Sequence, residues 1–448
     1  MGGLGFFSDR RLQIKAKVAM AERLHHARDQ SLDRVVTIVH ELLRDYHPRD
    51  YAIEFWDGSR WEPEQGNFCR FTWHVRTPAA LRALLRSDRQ VAFGEAYIYD
   101  DFDISGDILA IFPVAEYLLE KHFSATEKLR LGSLLLGLPR NPHEAEPLSK
   151  LHGLRHTKTR DQCAVSFHYN VSNDFYKLWL DSAMVYSCAY FNGTDDSLDR
   201  AQTQKLDYIC RKLRLKPGER LLDIGCGWGG LIMHAARYYG VHATGITLSE
   251  QQHALAQERI AEAGLKSACE VRLLDYRDAR KLGEFDKLVS VGMVEHVGEN
   301  KLPEYFRTAF QLLKPGGVFL NHGIGRAGNR AKPSERTFTD AYVFPDAELI
   351  PISTTLRHAE ESGFEVRDVE NLREHYFLTL CHWLRRLEAS ADTANEMVGE
   401  IKYRIWRLYL AGSAHYFQSG KLALYQSLLT KNIVGRSTLP LTRDDWYH

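Results

Sequence analysis

The stretch Leu221 to Gly230, LLDIGCGWGG, constrains this chain more than any other feature. An apolar strand run, RLLDIG (220–225), leads into Gly225, Gly227 and Gly229, and GGLIMHAARYYG (229–240) follows with helical periodicity. Glycines let the backbone turn tightly and approach a ligand with no Cβ in the way. A glycine-rich turn alone is a weak signal, because a plain tight turn or a nicotinamide site gives the same composition. The spacing here is GxGxG with Asp223 on the strand, not GxGxxG.

From about residue 200 strands and helices alternate. HATGITL (242–248) reads as a second strand. SEQQHALAQERIAEAG (249–264) reads as a helix capped by Ser249 and ended by Gly264. CEVRLLDY, FDKLVSVGM and GVFLNHGIG follow as strands, and EVRDVENL and LALYQSLLT read as late strands on the sheet's edge. Residues 374 to 420 read as long helices that cover a pocket. This order implies an α/β fold with a doubly wound, mostly parallel sheet. The glycine motif resembles motif I of the class I methyltransferases, which are Rossmann-like and bind S-adenosylmethionine. In such sheets the ligand lies beyond the carboxyl ends of the strands, at the switch point. Thr247, Leu248 and Gln252 follow strand two, and Tyr276 and Arg277 follow strand three. Thr247 stands where many methyltransferases place an acidic residue for the ribose. Tyr276 and Arg277 are placed to stack on or bond to adenine, and read equally as cap or loop residues.

The 448 residues are too many for one ordinary core, which suggests two domains. Residues 1–138 read as a smaller α+β domain. Helical spacing runs over 10–45 with Val35, Ile38, Val39 and Leu42. A hairpin turns at Asp57-Gly58, NFCRFTWHV (67–75) alternates as a strand, and TPAALRALLRSD (77–88) reads as a helix capped by Thr77. Residues 139–163 read as a linker and 164–448 as the catalytic domain. A content of 44% hydrophobic and 26% charged residues fits a soluble globular protein, and a formal net charge of +0 argues against a nucleic-acid partner. The odd count of 7 cysteines, without a CxxC pair, argues against a disulfide framework or structural zinc and fits the cytoplasm. Leu129 to Leu138 is apolar but too short to span a bilayer. The nearby Lys121, Lys128, Arg130, Arg140, Lys150, Arg155, Lys158 and Arg160 make one local basic region, read either as solvated surface or as a headgroup-binding face.

Several longer motifs occur in one order: HYNVSNDFY (168–176), YSCAYF (186–191), the glycine loop, TLSEQQ (247–252), DYRD (275–278), VSVGMVEHVG (289–298), HGIG (322–325) and YVFP (342–345). The set resembles the cyclopropane-fatty-acyl-phospholipid synthases and the mycolic-acid cyclopropane synthases, over residues 160 to 435. It also resembles the N-terminal domain of the phospholipid-acting branch over 50 to 120. The resemblance implies that Tyr186 and Ser187 contact S-adenosylmethionine. It implies that Cys188, Glu295, His322, Ile324 and Tyr376 surround a bicarbonate ion, with Cys188 and Ile324 acting largely through backbone groups. It further implies an N-terminal domain that captures unsaturated phospholipid at the inner membrane surface, and a homodimer.

The chemistry makes the set intelligible. An isolated cis double bond is a poor nucleophile, so the sulfonium methyl must be held in line with it in a dry pocket. Methyl attack leaves a carbocation, and a base must take a proton from the new methyl for the ring to close. Aromatic faces such as Tyr169, Tyr342 or Phe344 suit that cation. Outside this motif Cys188 reads as a small buried hydrophobe, His322 as a core histidine and Glu295 as polarity before a helix. Ser413 stands where the family commonly has cysteine, Val294 where phenylalanine is frequent, and Phe338 where tryptophan is. Other readings keep the fold with a methyl-branched or methylene product, make it a small-molecule N-methyltransferase, or leave a non-catalytic lipid-binding protein.

Overall fold

The computed structural model describes residues 30–86, 88–139, 155–169, 171–328 and 336–447. The chain divides into two compact units, Met1–Glu146 and Pro147–His448.

In the first unit a helix over 30–43 buries Val35, Ile38, Val39 and Leu42, the residues whose spacing predicts it. The expected helical stretch before residue 30 lies outside the described residues. Asp57-Gly58 turns the antiparallel hairpin of β1 (Tyr51–Phe55) and β2 (Arg60–Trp61). With β3 (Phe71–Val75) and β4 (Phe102–Gly106) these form a sheet in the order β2-β1-β3-β4. Thr77 precedes a 3-10 helix, Pro78–Leu85, but does not cap it; its hydroxyl donates to Asp101 Oδ1 at 3.0 Å. The helix Ala125–Leu136 starts at a Ser124–Glu127 capping box. It buries Leu131 and Leu135 and leaves Leu129 and Leu136 77% and 69% exposed, so this apolar stretch faces both ways.

The second unit is built on β5 (Arg220–Ile224), β6 (His242–Thr247), β7 (Cys269–Leu273), β8 (Phe285–Val291), β9 (Leu313–Arg326), β10 (Glu365–Asn371) and β11 (Leu422–Thr430). Their order is β10-β11-β9-β8-β5-β6-β7. β9, β8, β5, β6 and β7 run parallel, and β11 is antiparallel to both of its neighbours. Leu221 packs into one core with Ile209 and Leu213, and Leu222 into the other with Tyr305 and Phe306. Both faces are thus covered, as a doubly wound sheet requires.

One late strand departs from expectation. β11 lies inside the sheet, between β9 and β10, not on its edge. The reason is composition: LALYQSLLT is buried almost throughout, whereas EVRDVEN is only half-buried and takes the edge. The expected covering helices are Arg373–Ala389, Ala391–Val398 and Glu400–Gln418. Of the expected linker, 140–154 lie outside the described residues, while 158–163 open the helix Lys158–Tyr169. Its charges are held internally. Arg155 and Arg160 pair with Asp346, and Lys158 Nζ lies 2.8 Å from Asp278. Arg140 and Lys150 lie outside the described residues. Among the described residues no helix is long and apolar enough to cross a membrane.

Candidate active site

A cavity opens at the carboxyl ends of the parallel strands, where β5 parts from β6 on one side and β8 on the other. β5 and its loop contribute Asp223, Gly225 and Gly227; β6 contributes Thr247 and Leu248, with Gln252 one turn on; the segment after β7 contributes Tyr276 and Arg277. Tyr186 and Ser187 form another wall. Gly225 has φ +86° and Gly227 φ +55°, the left-handed region, and nothing stands within 4 Å of a Cβ built on Gly227. The loop's bare backbone therefore faces the open space. The N–H groups of Gly225 and Cys226 both donate to the Ile246 carbonyl at 3.0 Å, which pins the loop to β6. Trp228 Nε1 donates to Asn173 Oδ1 at 2.8 Å, tying the loop to the HYNVSNDFY motif. Gly229 does not line the cavity. It begins the helix Gly230–Tyr239 and packs toward Ala256, 3.4 Å from a Cβ placed there.

The polar groups at this rim are ordered. Thr247 Oγ1 donates to Gln252 Oε1 at 2.8 Å. The Arg277 guanidinium donates to Asp275 at 2.6 and 2.8 Å, to Asp161 at 3.0 Å and to the His156 carbonyl at 3.3 Å. Four of its five N–H donors are used in this way, and through Asp161 they fasten the Lys158–Tyr169 helix to the loop after β7; Tyr276 beside it also lines the cavity. At the other end lies Lys205, 1% exposed, whose Nζ donates to Ser187 Oγ at 2.8 Å. Burial drives its pKa down to about 8, against the pull of Asp181, Cys188 and Asp223. Burial pushes the Asp223 carboxyl up to about 7, and only Lys205 opposes it. Asp223 Oδ1 has no hydrogen-bond partner.

A second buried group sits behind the cavity. Glu295, 5% exposed, lies on the four-residue helix Val294–Val297 directly after β8; Met293, His296 and Val297 around it line the cavity. Its Oε1 accepts from the Ile324 backbone N–H at 2.6 Å, and its Oε2 has no partner. Burial raises this carboxyl to about 7, against the Ile324 N–H. His322, 1% exposed, stands on β9 with Nε2 unpartnered. Burial, then Lys205 and Lys212, hold it well below the usual histidine range, so it is neutral. Gly323 between these residues admits no side chain, since Val294 Cγ1 lies 2.3 Å from where its Cβ would be. The Cys188 thiol donates to the Ala189 carbonyl at 3.2 Å, and burial raises its pKa far above the ordinary range, so it is no nucleophile. Thr379 Oγ1 accepts from the Ala189 N–H at 3.0 Å, which docks this segment on the helix carrying Tyr376. Tyr376 meets Trp383, which in turn meets Tyr186.

The sequence profile of the mycolic acid cyclopropane synthetase family matches residues 156–427. A protein of Pseudomonas putida named "Probable fatty acid methyltransferase" is 40% identical over 399 residues, 88% of this chain and 95% of that one. The cyclopropane-fatty-acyl-phospholipid synthase of Escherichia coli strain K12 is 36% identical over 296 residues, 65% and 75% of the two chains. This chain belongs to the mycolic acid cyclopropane synthetase family. A crystal structure of the mycolic acid cyclopropane synthase CmaA1 with SAH and CTAB has a TM-score of 0.57 at 34% identity. It covers 60% of this chain and 97% of that one. A profile for a domain of unknown function matches residues 38–127.

The protein is accordingly an S-adenosylmethionine-dependent methyltransferase of lipid type. Of the residues the sequence singles out for the cofactor, Tyr186, Ser187, Asp223, Gly225, Gly227, Thr247, Leu248, Gln252, Tyr276 and Arg277 line one cavity, and Gly229 stands behind it. Cys188, Glu295, His322, Ile324 and Tyr376 do not line it. The Ile324 N–H, expected for an anion, is committed to Glu295. Of the aromatic candidates, Phe344 meets His296 and Tyr409, and Tyr342 stacks on Phe338. The side chain of Tyr169 lies outside the described residues. Sequence reasoning missed Lys205. The signal was present: on the helix Leu198–Leu213, Leu198, Ala201, Gln202, Lys205, Ile209 and Lys212 recur at helical spacing and are all buried. Two lysines on an apolar face mark a polar interior.

Proposed function

We propose that this enzyme transfers the methyl carbon of S-adenosylmethionine to a cis double bond of a phospholipid acyl chain and closes a cyclopropane ring. The observation that carries the reading is a pair of orphaned polar atoms, Glu295 Oε2 and His322 Nε2, buried beside the cavity. Buried polar atoms rarely go unpaired, and two of them beside a cofactor cavity suit a small bound ligand.

In the reaction the S–CH3 bond breaks as the alkene's electron pair forms the first C–C bond. A cation remains on the neighbouring chain carbon. Loss of a proton from the new methyl supplies the pair for the second C–C bond. A bicarbonate ion would give both orphaned atoms a partner, and when bound it would supply the base for that proton. Glu295, His322, Cys188 and Tyr376 would hold it, with Ile324 acting through the Glu295 carboxyl. A neutral His322 offers one N–H donor. Glu295, near neutrality in its pKa, keeps a proton often enough not to repel an anion. The buried ammonium groups of Lys205 and Lys212 favour negative charge at His322. The burial of Cys188, Glu295, His322 and Tyr376 keeps water from the cation.

The exposed Leu129 and Leu136 beside Lys128 and Arg130 support a role for their helix at the membrane surface. The name of the Pseudomonas putida relative supports a second reading, in which the same cation yields a methyl-branched or methylene chain. Incubation of the full chain with S-adenosylmethionine and cis-unsaturated phospholipid vesicles separates the two. Cyclopropane protons in the NMR spectrum of the extracted lipid are expected. Branched or methylene products alone, or no change, would overturn the proposal.

A further inference from the structure

Gln426 on β11 stands directly opposite His322 on β9 and is 1% exposed. One end of its amide meets His322 Nδ1 at 3.1 Å, and the other meets Lys212 Nζ at 2.9 Å. An ammonium has only donors to offer, so the amide atom facing Lys212 is the oxygen. The amide NH2 therefore faces the histidine, and Nδ1 must accept. In a neutral imidazole the proton then sits on the other nitrogen, Nε2. That nitrogen is the atom with no partner in the protein.

Lys212 is itself held in one place. It is 1% exposed, donates to Glu370, lies 3.8 Å from Asp368, and sits 4.5 Å over the Tyr208 ring. The Tyr208 hydroxyl donates to the same Glu370 carboxylate at 2.9 Å. None of these residues lines the cofactor cavity. We propose that Lys212 and Gln426 are positioning residues that lock His322 in its Nε2–H tautomer, so that a donor, never a lone pair, faces the anion beside Glu295. The proposal rests on the anion reading above. It adds to that reading what decides the direction of the histidine's hydrogen bond. If Lys212 is lost, nothing distinguishes the two ends of the amide. A flipped amide would place the proton on Nδ1 and turn the Nε2 lone pair toward a negative charge.

The test is ring-nitrogen NMR of the full chain labelled with 15N-histidine, with the His322 signals assigned by their loss in His322→Asn. In the parent protein Nε2 is expected to be protonated and Nδ1 to accept. In Gln426→Glu the carboxylate should draw a proton onto Nδ1, and in Lys212→Met the two tautomers should mix. Both variants should lose turnover by about tenfold or more, as when an outer partner of a liganding histidine is removed. Their KM for S-adenosylmethionine should not change, and their KM for added bicarbonate should rise. A parent His322 protonated on Nδ1 would overturn the proposal, and this reading needs only the His322→Asn variant used for assignment to fold. A Gln426→Leu protein with parental tautomer and turnover would overturn it as well. Turnover of the parent in carbonate-free buffer judges the anion separately. If it is undiminished, the anion reading fails, while the tautomer spectra still decide what Gln426 and Lys212 do.

Discussion

Replacing Glu295 by Gln isolates the most informative group in the site. The folded carboxyl keeps its proton up to about pH 7, while an unfolded glutamate releases it near 4.5. Between these values the folded state binds more protons than the unfolded one. Stability contributed by this group is therefore full below pH 4.5 and is lost as pH rises through 7. At about 1.4 kcal/mol per pKa unit the loss amounts to roughly 3 kcal/mol. Glu295→Gln removes the titration but leaves a carbonyl oxygen to accept from the Ile324 N–H. The stability difference between variant and parent should thus shift by about 3 kcal/mol in favour of the variant from pH 4.5 to pH 8. Asp223 and every other titration are common to both proteins and cancel. The assay is urea unfolding of both, without cofactor, across that range. A difference flat to within about 1 kcal/mol would refute the claim that the carboxyl is buried and raised. In the same variant turnover should fall by roughly a hundredfold with little change in KM for S-adenosylmethionine, because Glu295 does not line the cofactor cavity.

Three further outcomes are expected. Gly227→Val should weaken S-adenosylmethionine binding in calorimetry by more than about tenfold and lower stability by only about 1 kcal/mol, since the added side chain enters the cavity from a left-handed residue; unchanged affinity would remove the loop from the binding site. Lys205→Met should destabilise the protein by about 3 kcal/mol at pH 8, because it strips the one cation opposing the burial of Asp223. At pH 5.5 the loss should shrink as Asp223 takes up a proton, and a pH-independent loss would contradict the pairing. Gly323→Ala should cut turnover as severely as Glu295→Gln, because the new Cβ displaces Val294 and with it the Glu295–Ile324 contact; parental turnover would show that the contact is dispensable.

Local signals in the sequence carried the cofactor half of the site. Strand, GxGxG turn and helix are contiguous, and the residues that follow β6 and β7 reach the same rim because parallel strands all end there. The second half depended on pairings across the chain. That β11 enters the sheet beside β9, and so puts Gln426 opposite His322, is a choice between strands about a hundred residues apart, which periodicity does not encode. Arg277 lines the cofactor cavity as expected, but its carboxylate partner Asp161 comes from a segment read as linker and was not foreseen. Lys205 and Lys212 were passed over in the sequence; only their place on the apolar face of Leu198–Leu213 distinguishes them. The basic run over 155–160 reads in the sequence either as solvated surface or as a headgroup face; in the fold Asp346 and Asp278 pair with Arg155, Lys158 and Arg160. Charge reversal there would first break ion pairs within the second unit.

Ring closure as proposed requires a base in this site to take a proton from the transferred methyl group. S-adenosylmethionine deuterated at the methyl, given with cis-unsaturated phospholipid vesicles, tests it in one mass spectrum. A lipid that keeps two of the three deuterons, both on a ring carbon, is expected. A product that retains all three would contradict it.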